Sequence, residues 1–129
     1  MSEAGILAHF FSTRDQYRGN AEEAIRRREY RKASELLWGA ITQQLKALAA
    51  LSNITIGQHR EFFAFLRQYA AEISDETLYL DFVSLNALHR NFYDEIIPPD
   101  AFPSFYEIAI TYLERLEGLI KQRIEAKPL

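Results

Sequence analysis

The chain has 129 residues, 48% hydrophobic and 26% charged, with 18 acidic against 15 basic side chains and no cysteine. That length holds a single domain, residues 1–129, with a sizeable core, and the composition excludes disordered, collagenous and low-complexity classes. Without cysteine there is no disulfide stapling, thiolate catalysis or sulfur-ligated zinc, and a reducing, cytoplasmic setting is expected. The opening Met-Ser-Glu-Ala-Gly lacks a basic leader, and the least charged stretch, Leu36 to His59, is broken by Lys46 and several polar residues, so neither secretion nor a membrane span is expected.

Helical periodicity runs through almost the whole chain, with Gly and Pro expected to punctuate it. A first helix is predicted over about Gly5 to Arg28, its apolar stripe passing through Ile6, Phe10, Tyr17, Ala21, Ala24 and Ile25. A second, about Tyr30 to Leu51, is apolar nearly all round, and after Ala33 only Glu35 and Lys46 are charged. A helix of that kind belongs at the centre of a bundle. Thr55 and Gln58 fit a capping box for a third helix reaching about Ala71, with Phe62, Phe63, Leu66 and Ala70 turned inward. The fourth is predicted over about Asp75 to Ile96, with Leu78, Phe82, Leu85, His89, Phe92, Tyr93 and Ile96 on one face. Pro98 and Pro99 then enforce a stiff loop. Ser104 and Glu107 suggest a second capping box, opening a last helix to about Glu125 that buries Tyr106, Ile110, Leu113, Leu116 and Ile120. With no alternating strand pattern left, the fold class is an all-α, single up-and-down antiparallel bundle of about five helices. Helices two and four carry more apolar surface than a small monomer covers, which predicts a symmetric homodimer.

Charge is unevenly spread. Arg14 to Lys32 holds seven bases against four acids, whereas Glu72 to Glu107 holds eight acids against Arg90 alone. Arg26, Arg27, Arg28 and Arg31 form the candidate nucleic-acid strip, although the interleaved acids also fit an ordinary solvated face. The Ala24 to Ala40 stretch is similar to one tetratricopeptide unit, but nothing repeats at a shift of about 34 residues. Phosphate loops, nucleophile elbows and His-Glu-x-x-His pairs are absent, and His9, His59 and His89 are far apart in sequence. No metal site and no cofactor are expected.

One constellation stands out, Leu88-His89-Arg90-Asn91-Phe92-Tyr93-Asp94-Glu95. His89 and Tyr93 lie one turn apart on a face expected to be apolar, where burial makes each seek a hydrogen-bond partner. Arg90 and Asp94 make a second i, i+4 pair. The plain reading is a satisfied core histidine beside a surface ion pair. The functional reading is a small polar pocket in which Trp38, Lys46, His59, His89, Arg90, Asn91 and Tyr93 meet a ligand.

Lys32-Ala33-Ser34-Glu35-Leu36-Leu37-Trp38-Gly39-Ala40, Leu45-Lys46-Ala47-Leu48-Ala49, His59 at a helix start and Leu88-His89-Arg90-Asn91-Phe92-Tyr93 together carry a resemblance over roughly residues 15–120. The chain resembles the archaeal PaREP-type helical proteins, which are in turn similar to the HEPN superfamily of small nucleotide- and RNA-associated bundles. The resemblance implies an up-and-down bundle, commonly dimeric, in prokaryotic cytoplasm, paired in some cases with a nucleotidyltransferase or acting as an RNase. The RNase branch carries Arg, often a polar residue next, and His after four to six intervening residues. Arg90-Asn91 matches the start, but the positions for His hold Glu95, Ile96 and Ile97. The expectation is therefore a non-catalytic helical binding module for RNA, a nucleotide or a protein partner such as a nucleotidyltransferase or antitoxin. The alternative is a metal-independent, toxin-type RNase using Arg90, His89 and Glu95.

Overall fold

The computed structural model describes residues 2–126, and they form five helices: α1 Glu3–Arg26, α2 Tyr30–Ala50, α3 His59–Glu72, α4 Glu76–Asp94 and α5 Phe102–Ala126. The all-α bundle expected from periodicity is the observed fold. α2 is its axis and touches each of the other four helices. Leu37, Trp38, Ile41, Leu45 and Leu48 are buried on one side of it and Ala33, Ala40 and Ala47 on an adjoining side. No helix among the described residues is long and apolar enough to cross a membrane.

Helix direction follows from the contacts. α1 and α2 form an antiparallel hairpin, with Tyr17 against Gly39 and Arg14 Nη1 donating to Gln44 Oε1 at 3.0 Å. α4 runs against α2, since Ser34 meets Asn91 and Trp38 meets Phe82. α5 runs with α2: Tyr30 stacks near Phe102 at one end, and Arg123 Nη2 donates to the Leu51 carbonyl at the other. α3 also runs with α2, because its first residue, His59, lies against Trp38 and not against the end of α2. Ala50 is twelve residues, or about 18 Å of helix rise, beyond Trp38. Residues 51–53 turn off the end of α2, and residues 54–58 make that return. Up-and-down alternation therefore holds at every connection except this one.

That crossover explains why the Thr55/Gln58 capping box does not form. Ile56 is buried against the core, the chain stays extended, and α3 begins at His59 behind Gln58, which makes no side-chain cap. The Ser104/Glu107 box fails for a related reason. Phe102 is buried against Tyr30, so α5 starts there, with Pro103 in the first turn where its missing N–H costs nothing. α5 buries Ala109 and Tyr112 together with Leu113, Leu116 and Ile120, while Tyr106 and Ile110 are only partly covered. Phe63 is partly covered too, whereas Phe65 and Tyr69 are buried.

Glycine does not punctuate the helices. The positive-φ residues are Arg28, Asn53, Ser74 and Glu95. After α1, Glu29 N–H donates to Ala24 O and Arg28 N–H to Ile25 O, and the same 6→1 and 5→2 pair recurs after α2 and α3. Gly39 has a packing role, since a Cβ there would lie 3.1 Å from the Tyr17 ring, whereas Gly118 has nothing within 4 Å. Gly39→Val is expected to cost about 1–3 kcal/mol through overpacking, and Gly118→Ala to add about 0.5–1 kcal/mol by restricting the unfolded chain, both measured by urea unfolding.

Arg115 of α5 binds Asp75, Asp81 and Thr77 around the start of α4. Hydrogen bonding to its guanidinium holds the Asp75 carboxyl below its ordinary value. A depressed folded-state value means the contribution is present above the unfolded aspartate value of about 3.9 and is lost as pH falls through the folded one. Stability is therefore expected to fall below about pH 4, and Arg115→Met to flatten part of that decline in acid-unfolding curves.

Candidate functional site

α4 has a different inward face from the one its periodicity suggests. Leu78, Phe82, Leu85, Leu88 and Asn91 are buried, whereas Phe92 is 37% and Tyr93 62% exposed. The helix ends at Asp94, and Glu95 turns left-handed, so Ile96 is outside it and exposed. Asn91 sets this ending. Its Nδ2 donates to Ser34 Oγ at 3.0 Å, its Oδ1 accepts from Ile97 N–H at 2.7 Å, and Ser34 Oγ donates onward to Tyr30 O. A buried amide satisfied on both sides pins Ile97 into the core and pulls the chain out of the helix before the prolines.

His89 lies on the flank of α4 facing α2 and α3. Its Nδ1 is 2.8 Å from Glu35 Oε2. A carboxylate oxygen accepts in this contact, so Nδ1 is the donor. The His89 ring stacks on His59 at 4.9 Å and on Trp38 at 5.8 Å, with Tyr93 edge-on at 5.4 Å. Trp38 stacks in turn on Phe82 at 4.8 Å, so a ladder of rings leads from the core to the surface. Three of the sequence candidates, Trp38, His59 and Tyr93, thus meet at His89. Lys46 does not join them; it is eight residues, about 12 Å of rise, beyond Trp38. Sequence reasoning missed Glu35 as the partner of His89. Its signal was a carboxylate on an otherwise apolar helix, a place where a charge needs a partner.

Tyr93 also walls an open groove of about 860 Å³. One side is Arg28, Arg31 and Lys32 from the start of α2 and the turn before it; the other is Phe92, Tyr93 and Glu95, with Pro98 and Pro99 at the end. Arg31 donates from Nε and Nη2 to Phe92 O and from Nη2 to Tyr93 O, capping the C-terminus of α4, and its Nη1 is 3.6 Å from Glu95. Arg26 and Arg27 pair with Glu23, and Lys32 is 3.8 Å from Glu29. Arg28 makes no ion pair among the described residues. The predicted basic strip therefore divides: Arg28 and Arg31 face the groove, whereas Arg26 and Arg27 belong to a local ion-pair cluster.

Arg90, His89 and Glu95 have separate surroundings. His89 is held by Glu35, Arg90 is exposed, and Glu95 pairs with Arg31 past the end of α4. The expected Arg90–Asp94 pair is not formed among the described residues. Nor is there any group of three or more acidic or histidine side chains among them placed to hold a metal ion.

Asn91→Ala is expected to cost about 2–3 kcal/mol, since Ile97 N–H and the Ser34 hydroxyl lose a buried partner. His89→Ala leaves Glu35 able to reach water, and about 1–2 kcal/mol is expected. Thermal unfolding of the two variants side by side checks the order.

No curated protein and no solved structure matches the chain. A family model described as the archaeal PaREP1/PaREP8 family matches residues 11–113, a span that takes in α2, α3, α4, the ring ladder and both walls of the groove. The chain belongs to that archaeal PaREP1/PaREP8 family.

Proposed function

We propose that this protein is a non-catalytic, HEPN-like binding module that takes single-stranded RNA or a nucleotide in the groove between the start of α2 and the end of α4. One observation carries the reading: exposed aromatic rings, Phe92 and Tyr93, face the cations Arg28 and Lys32 across a single groove. Every base has a π-face and every nucleotide a phosphate, so rings opposite cations form a general single-strand binding surface. The stiff Pro98-Pro99 end and the Asn91 clamp hold the walls in place, which lowers the ordering cost of binding. An associated nucleotidyltransferase or antitoxin, the protein partner implied by the family resemblance, would engage the same module as a complex.

The competing reading, a metal-independent RNase, draws support from the Glu35–His89 pair. A carboxylate on Nδ1 is the arrangement that readies an imidazole for proton transfer. The expected Arg-to-His spacing is absent from the chain, and His89, Arg90 and Glu95 have different neighbours, so binding is the reading favoured here.

Binding of a fluorescent single-stranded oligoribonucleotide, measured by anisotropy, is expected to weaken steeply with salt. Tyr93→Ala is expected to cost about 1–3 kcal/mol of binding, and Arg28→Ala to reduce both affinity and salt dependence. RNA incubated with the protein in chelator is expected to stay intact. Chelator-resistant cleavage lost in both His89→Ala and Arg90→Ala would establish the RNase reading. Absence of any salt-sensitive binding would leave a protein partner.

A further inference from the structure

The end of α4 sets a cation and a carboxylate side by side in the groove. Glu95 is the residue just past the helix, and Arg31 reaches it from the start of α2. The Arg31 guanidinium is fixed by Nε and Nη2, which donate to the Phe92 and Tyr93 carbonyls. Its Nη1 makes no hydrogen bond among the described residues and stands 3.6 Å from Glu95 Oε1, beyond hydrogen-bond distance. The Glu95 carboxylate has no other partner among them, and its side chain is 69% exposed. Stability is a poor account of this contact: an ion pair so open contributes little, and a carboxylate at the C-terminal end of a helix meets the negative end of its dipole. What the contact does provide is one free donor beside two free acceptors, next to the exposed rings of Phe92 and Tyr93.

We infer that the groove selects guanine, with Glu95 and Arg31 reading the Watson–Crick edge of one base while a ring of Phe92 or Tyr93 stacks on its face and Arg28 and Lys32 take phosphate. The inference rests on the groove's binding of single-stranded RNA or a nucleotide. Guanine presents on that edge the O6 acceptor, the N1–H donor and the N2 amino donor in a row. An ionised carboxylate only accepts and a guanidinium only donates. Glu95 therefore takes N1–H and N2–H together, and Arg31 Nη1 donates to O6. The other bases cannot fill the row. Adenine offers one donor, N6–H, beside the N1 acceptor; cytosine offers one, N4–H, beside two acceptors; uracil has N3–H between two acceptors. Each leaves one carboxylate oxygen without a donor, and charge-assisted bonds of this kind are the costly ones to lose. Arg31 also offsets the charge of Glu95, so that a carboxylate is tolerated in a groove that takes phosphate.

Fluorescent heptauridylate with one variable central nucleotide, bound to the full chain at low salt and read by anisotropy, tests the proposal. Guanine at that position is expected to bind at least about tenfold tighter than adenine, cytosine or uracil. Inosine, which keeps O6 and N1–H but lacks the N2 amino group, is expected to fall in between. Deoxyguanosine is expected to match guanosine, since the ribose hydroxyl takes no part. Glu95→Gln is expected to bring the guanine oligonucleotide to the level of the other three, whereas a Glu95 acting through charge alone would shift all four together. Asp94→Asn, one residue earlier and outside the groove lining, is expected to keep the preference. Equal, salt-sensitive binding of all four bases overturns the guanine assignment and leaves single-strand binding standing. A preference that requires the 2′-hydroxyl, or one that survives Glu95→Gln, overturns it as well. No binding of any oligonucleotide removes both.

Discussion

A helix with apolar side chains around most of its circumference cannot remain beside water, and the rest of this bundle is the solution to that constraint. α2 must be covered on most sides within about 130 residues, and no single neighbouring helix can wrap it. α1 takes one side as a long hairpin, α4 and α5 take another, and α3 closes the remainder. The connection into α3 follows from the same demand. If α3 had folded straight back from the end of α2, its inward residues would have met α2 in the opposite order. Residues 51–58 instead carry the chain back along α2, so that α3 starts beside Trp38, with His59 against Trp38 and Phe63 against Phe82.

The few polar side chains of α2 show how such a core acquires a single arrangement. Ser34, Glu35 and Gln44 each find a partner distant in sequence: Asn91, His89 and Arg14. Apolar packing alone tolerates a helix sliding by a turn against its neighbour, but a buried amide or carboxylate loses its partner in any such slip. These three contacts fix the register of α2 against α1 and α4. Two of them, at Ser34 and Glu35, sit next to the groove. The elements that hold the candidate site in place are thus the same ones that set the register of the fold.

Helix ends contribute a second kind of placement. The left-handed positions at Arg28 and Glu95 are occupied by long charged residues where glycine would fit with less strain. Both line the groove. Each turn satisfies the last carbonyls of its helix while directing a charged side chain toward the same space, and Arg31 secures the α4 end from across the groove.

Much of this was legible in the residues alone. The helical class, the number of helices, the central place of α2 and the stretch around His89 all follow from period, composition and a few interrupting prolines, because amphipathic spacing is a local property of the chain. Family membership was likewise readable from short segments such as Leu88-His89-Arg90-Asn91-Phe92-Tyr93. Direction, pairing and facing were decided only by the tertiary structure. Nothing local marks that α3 must start beside Trp38, that Asn91 and not His89 faces the core, or that Glu35 meets a histidine 54 residues away. A helix turns by about 100° per residue, so a boundary shifted by two residues or a modest rotation exchanges an inward side chain for an outward one. Such rotations are set by the neighbours that cover the helix, and those are known only once the whole chain has packed.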